Sequence, residues 1–362
     1  MISYRNFGYK YKSIAHQGSE KTPMSIHRHK LLQAIVCLLA TVLPLSISYA
    51  QTSPSPVHEP LVEVADIPLP GPAVRFDYQN FDASSGRLYI SHMDADHVVI
   101  FDVASRKVVA NLGGFKRVHG VLAVPERHRL YVAATGDHRI AVVDTQTLET
   151  IATPGPVTYP DGLAYAPQQN RVFVSDEHGG SADAVIDATT NRLITSIPLG
   201  GEAGNTVFDP VSGHILVSVH QINMLVTIDP ATNRIIDRCP LPGIRNPHGI
   251  ALDTANHLAF VGGEDNHSLA LVDLTSMKLL STYEVGDEPD VLAFDPGLNR
   301  LYVASEAGTV SVFQSHDKKL TLLGSIQMPH AHSVAVDPRT HLVYFPLENI
   351  HGRPLLRIML PN

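Results

Sequence analysis

From residue 77 onward, short apolar runs alternate with polar turns in a pattern that recurs seven times. The copies read FDYQNFDASSGRLYIS, HGVLAVPERHRLYVA, DGLAYAPQQNRVFVS, GNTVFDPVSGHILVS, HGIALDTANHLAFVG, DVLAFDPGLNRLYVA and HSVAVDPRTHLVYFP. Anchored on the residue before each apolar run, they fall at Asp77, His119, Asp161, Gly204, His248, Asp290 and His332, with intervals of 42, 42, 43, 44, 42 and 42 residues. The run after each anchor is apolar at nearly every position, which suits a strand covered on both faces. A turn rich in Asp, Pro, Gly and Asn follows, as at Asp295-Pro296-Gly297, and leads into a second strand such as RLYVA or RVFVS. A third strand alternates (HVVIFD, MLVTID, SLALVD) and a fourth follows (KVVANL, RLITSI, KLLSTY). Four short strands in a unit of this length predict a β-propeller blade.

The last copy holds only three strands, HSVAV, HLVYF and PLLRIML. Its missing fourth has a counterpart at the other end, where LVEVADIPLPGPAV (residues 61–74) has the form of RLITSIPLGGEAGN. The expected fold is therefore all-β, a seven-bladed propeller over residues 60–362 with four antiparallel strands per blade. An N-terminal strand completes the last blade and closes the ring, which removes the edges that an open array would expose.

Ahead of the repeats, MSIHRHK (residues 24–30) is basic, LLQAIVCLLATVLPL (31–45) is apolar and SISYA (46–50) offers a small-residue cleavage site. This is the pattern of an export signal over residues 1–50, removed after Ala50, with Met24 as an alternative start. The apolar run is too short to span a bilayer. Residues 51–59 read as a flexible leader, and the expected location is the periplasm or the exterior. No transmembrane segment is expected after cleavage. Cys37 leaves with the signal, so Cys239 remains without a disulfide partner and reads as a small buried hydrophobe. Residues 1–50 carry six of the 27 Lys and Arg and one of the 35 Asp and Glu, so their removal moves the formal charge from −8 to −13. An acidic chain is a poor partner for nucleic acid and a better one for cations.

The strand motifs Arg87-Leu-Tyr-Ile-Ser, Arg129-Leu-Tyr-Val-Ala and Arg300-Leu-Tyr-Val-Ala-Ser, with P-H-G at Pro247 and P-D-G at Pro160, resemble the YVTN-type (YncE-like) family of secreted bacterial seven-bladed propellers. The resemblance covers nearly the whole chain after the signal, although the Tyr-Val-Thr-Asn string itself is absent. It implies the fold, together with a binding or scaffolding role.

In a propeller the innermost strand of each blade starts at the mouth of the central channel, so the seven anchors should form a ring there. Sixteen residues after each anchor comes a second series: Met93, Thr135, Glu177, His220, Glu264, Glu306 and Glu348. A hairpin centred eight residues after the anchor would set the two series directly opposite each other, as Asp161/Glu177, Gly204/His220, His248/Glu264, Asp290/Glu306 and His332/Glu348. Stacked carboxylates repel, which raises a pKa or demands a cation. His119, His248, Glu264, His332 and Glu348 are the candidate ligands for a divalent ion such as zinc, calcium or magnesium. Asp77, Asp161, Glu177, His220, Asp290 and Glu306 are candidate contacts for a small-molecule or protein ligand. Propeller lyases acting on peptidylamidoglycolates and streptogramins are similar at these ring positions, where they place His and Glu around a metal.

Three functions follow from this ring. One is a channel-mouth ligand-binding protein, expected to be monomeric. Another is a metal-dependent lyase or hydrolase with a ring carboxylate as base. The third is an interaction scaffold in which His–Glu pairs merely cap the channel. Asp102, Asp144, Asp187, Asp229 and Asp273 end the third strands, where a turn carboxylate accepts backbone N–H groups without any catalytic role. The loop SHMDADH (residues 91–97) has calcium-loop alternation, yet it lacks the glycine and terminal glutamate of an EF-hand and reads as a solvated loop. In HAH (330–332) the two imidazoles would point the same way only on a regular strand.

Overall fold

The computed structural model describes residues 59–362. The expected export signal and residues 51–58 of the leader lie outside the described residues. Seven four-stranded antiparallel sheets follow one another around a ring. Blade three shows the unit, with strands Pro160–Ala166, Arg171–Asp176, Ala182–Asp187 and Arg192–Pro198 from the inside outward. The closing blade is built from Ala335–Asp337, Leu342–Ile350, Arg353–Pro361 and, from the other end of the chain, Leu61–Pro68. Leu61 lies opposite Pro361 and Pro68 opposite Leu355. Arg357 clamps this seam through Asp66, with Nε 2.8 Å from Oδ1. Among the described residues no helix is long and apolar enough to cross a membrane.

Burial follows the pattern of the sequence. Second strands are covered on both faces, as in Arg129–Ala134, where only the first residue is partly exposed. Outermost strands alternate, as in Lys107–Gly113, whose exposed and half-buried residues take turns. Twelve residues after each anchor, Tyr89, Tyr131, Phe173, Phe260, Tyr302 and Tyr344 are buried at 0–1% exposure, with Leu216 in the equivalent place of blade four. Each such side chain contributes about 1.5–3 kcal/mol of burial. Between blades two and three, Tyr131, Val142, Val172, Val174 and Ile186 form one such packed wedge. Cys239 is fully buried between blades four and five. The turn aspartates do structural work: Asp102, Asp187 and Asp273 each accept a backbone N–H two or three residues on, at 2.8 Å.

The predicted register of the inner hairpins is corrected. In blade three Pro160 lies opposite Asp176, and the ladder shifts by one before Leu163 meets Val174. The same shift follows Pro247 opposite Gly263 and Pro289 opposite Ser305. In blades two to six the anchor thus sits in a β-bulge with no residue directly across, whereas Asp77 and His332 precede their inner strands. The residue sixteen positions on lies just past the end of the second strand except in the last blade, where Glu348 lies within Leu342–Ile350. The expected face-to-face pairs do not form on the ladder. A bulge instead re-aims the anchor side chain, here toward the channel.

Candidate functional site

Six of the seven anchors are ionisable, and all six are buried: Asp77, His119, Asp161, His248, Asp290 and His332 are 2–8% exposed. Five of them, with Glu177, Glu264 and Glu306, line one cavity of about 370 Å³ at the channel mouth. Buried charges persist only when paired or neutralised, so the site is best understood through its pairs.

His119 bridges two carboxylates through a single nitrogen, with Nδ1 2.7 Å from Asp77 Oδ2 and 3.1 Å from Asp161 Oδ1. Burial would lower its pKa, but the two acids outweigh it and push the imidazolium up to about 10. Tyr78 donates its hydroxyl to Asp161 Oδ2 at 3.2 Å. Burial works against ionisation of Asp161, yet His119, His248 and Tyr78 overcome it and hold its pKa below the usual carboxylate value. On the other side of the mouth, Arg75 donates to both oxygens of Glu306, with Nη1 3.0 Å from Oε2, and its Nη2 lies 3.9 Å from Asp290. His332 donates Nε2–H to the Phe76 carbonyl at 2.8 Å, and its Nδ1 lies 3.8 Å from Glu306 Oε2.

Positive charge runs short toward blades three to six. His248 places Nε2 3.8 Å from Glu177 and 3.9 Å from Asp161, and Nδ1 3.5 Å from Asp290. Burial is again outweighed, by Glu264, Asp290 and Glu177, and His248 rises to about 10. One imidazolium does not balance these acids. Burial and the nearby Asp161 push Glu177 up to about 8, so it keeps a proton at neutral pH. Burial, then the neighbouring Asp77 and Glu306, drives Asp290 well above the carboxylate range, and burial together with Glu306 and Asp161 raises Glu264.

His220 completes this sector. A Cβ on Gly204 would stand only 2.7 Å from His220 Nε2, so the absent side chain at the blade-four anchor is what lets the His220 ring in. Burial and the positive His248 lower His220 to about 3, which keeps it neutral. Its Nε2, and Nδ1 of His248, are buried without a hydrogen-bond partner. The two rings lie 5.5 Å apart.

Among the described residues, four groups bring three ligand atoms within 4.8 Å of one another: Glu177–His220–His248, His248–Glu264–Asp290, Asp77–Asp290–His332 and Asp77–His119–Asp161. In the last, His119 Nδ1 already bridges both carboxylates. Glu348 stands apart. It pairs with His330 Nδ1 at 2.6 Å, so the expected His332/Glu348 pair is replaced by His332 facing Glu306. His330 has φ +69°, which breaks strand regularity and turns it outward while His332 turns in. The 91–97 loop does not converge on an ion: Asp96 accepts the Arg117 backbone N–H at 2.7 Å, while Asp94 lines the channel cavity and His92 stacks on Phe76.

Sequence reasoning missed Arg75, Arg117 and Tyr159, which also line the cavity. Each stands two residues before an anchor. They recur at one position of the repeat, so the same period could have revealed this third ring.

No protein-family model matches the chain, and no curated protein matches it. Solved structures do. Hydrazine synthase from Kuenenia stuttgartiensis is similar at 16% identity and TM-score 0.68, over 87% of this chain and 99% of that one. Virginiamycin B lyase from Staphylococcus aureus is similar at 12% and 0.68, over 82% and 98%. The WD40 repeats of RRP9 are similar at 12% and 0.70, over 83% and 100%. At such identities these likenesses show the fold alone.

Proposed function

We propose that this chain is an exported propeller of the YVTN type that binds a small ligand at its channel mouth, and that a divalent metal ion held by Glu177, His220 and His248 is the centre of that site. The carrying observation is the buried His220 Nε2, which has no hydrogen-bond partner although Glu177 and His248 each offer a ligand atom within 4.8 Å of one on His220. Leaving such a nitrogen unsatisfied costs about 1–3 kcal/mol, and a metal would recover it. The excess of carboxylates around His248 supports the same reading, since a dication would take the place of their protons. Two imidazoles and a carboxylate favour zinc over magnesium or calcium, which prefer oxygen ligands alone. Three protein donors leave coordination positions for the ligand.

The test is metal analysis of the untagged protein, followed by zinc titration calorimetry. About one tightly held equivalent is expected, lost in the His220→Ala/His248→Ala variant. A wild-type protein that neither carries nor takes up zinc, or a double variant that binds it equally well, defeats the proposal. A second reading, a metal-dependent lyase or hydrolase, is favoured by one feature: Glu177 keeps its proton while the adjacent Asp161 stays ionised, the separation an acid–base pair needs. It would require turnover that disappears in Glu177→Gln. Export would show as a secreted or periplasmic form beginning at Gln51.

A further inference from the structure

The residues two positions before the anchors are Arg75, Arg117, Tyr159, Glu202, Asn246, Glu288 and His330, in blade order. Their chemistry is divided around the mouth. Three consecutive blades present two arginines and a tyrosine, and the next three present two glutamates and an asparagine. The first three residues line the channel cavity together with the acidic floor. Most cations of that cavity are engaged: Arg75 with Glu306, His119 with Asp77 and Asp161, His248 with Asp290. Among the described residues the Arg117 guanidinium has no ion-pair partner, although seven carboxylates line the same cavity.

Arg117 is also held in place. Its backbone has φ +47°, a left-handed conformation that costs a non-glycine residue about 1 kcal/mol or more. The Asp96 carboxylate secures it by accepting its N–H at 2.7 Å. Next to it, the Tyr159 ring stacks edge-on against His119 and His178, which fixes its hydroxyl at the cavity wall. A rigid backbone therefore carries an unpaired guanidinium, beside a phenol, over a cavity whose opposite wall is short of positive charge.

We infer that the ligand of this site is a small organic carboxylate, its anionic group clasped by Arg117 and Tyr159 and its other end directed at the Glu177–His220–His248 centre. This rests on the metal reading for that other end only. The planar fork of arginine matches a carboxylate with two parallel N–H···O bonds. A volume of about 370 Å³ lies at the low end of small-molecule pockets, which fits an acid of a few carbons and not a peptide.

Malonate, with neutral malonamide as its match in shape, is titrated into the zinc-loaded wild type and into Arg117→Gln. Arg117 is exposed, so the variant will fold, and its thermal midpoint and zinc affinity should equal those of wild type. Malonate should bind the variant ten- to a hundredfold more weakly, the loss expected of a hydrogen-bonded charge pair, and malonamide should bind neither protein. Equal malonate affinity in both proteins, malonamide binding as tight as malonate, or no malonate binding to the wild type overturns the inference. Should the protein take up no zinc, the metal reading has failed. The same titration on metal-free protein then still decides, with Arg117-dependent binding supporting the carboxylate subsite and its absence refuting it.

Discussion

Replacing Asp183 with asparagine should make the protein more stable above neutral pH. Asp183 lies on the third strand of blade three and is completely buried. Its Oδ2 accepts the hydroxyl of Thr206, on the innermost strand of blade four, at 3.1 Å, while its Oδ1 has no partner. Burial is the largest influence on this carboxyl and pushes it from 3.8 up to about 7. Because the folded value lies above the unfolded one, the folded protein binds the proton more tightly. Stability is therefore unaffected below about pH 4, falls as pH rises from there to about 7, and stays reduced above. Three pKa units at 1.36 kcal/mol each give a ceiling of about 4 kcal/mol, which relaxation and water entry will lower. Asparagine keeps an acceptor for Thr206 and carries no charge. Unfolding free energies from urea titrations of wild type and Asp183→Asn, measured from pH 4 to 9, should coincide at the acid end and separate by up to that amount at pH 8.5 and above. Parallel curves across the range would refute the reasoning.

Two further perturbations test the site. Gly204→Ala places a methyl group 2.7 Å from His220 Nε2 and 2.8 Å from the Pro247 carbonyl, which cannot easily yield. It should cost about 1–3 kcal/mol in denaturation and, on the proposed metal reading, weaken zinc binding; a variant as stable as wild type would contradict the packing described here. His119→Gln leaves Asp77 and Asp161 without their shared cation and should cost about 3–5 kcal/mol at pH 7. The His119 contribution is lost as pH rises through about 10, so the deficit should narrow by pH 10.5; a gap independent of pH would argue against a charged bridge.

The period of the apolar runs made the fold legible, down to the N-terminal strand that completes the last blade. It also picked out the ring, because residues at one position of a repeat occupy one position in each blade. It could not supply the register. A single bulged residue at five of the seven anchors changes which residues face each other, and nothing in the apolar pattern marks it. Nor could it supply partners between blades. Arg75 meets Glu306 and His332 meets Phe76 across more than 200 residues, because ring closure brings the first and last blades together. Glu348 went astray for a local reason: the left-handed backbone at His330 puts a nearer imidazole in its reach.

Blade four shows that the anchors are not needed for folding. With Gly204 in place of an acid or imidazole, it still builds a four-stranded sheet, and its inner hairpin carries the same shift, with Ala203 opposite Val219 and Thr206 opposite Val217. A charged side chain at the anchor is therefore not needed to build the blade. The other six blades nonetheless place ionisable groups there, at 2–8% exposure, where each must be paired or neutralised. Their burial is an expense that folding does not demand. Even the one glycine serves the mouth, since it admits His220 beside His248. A cluster that the fold tolerates without requiring, and that holds several buried carboxylates close together, is what the proposed binding site would account for.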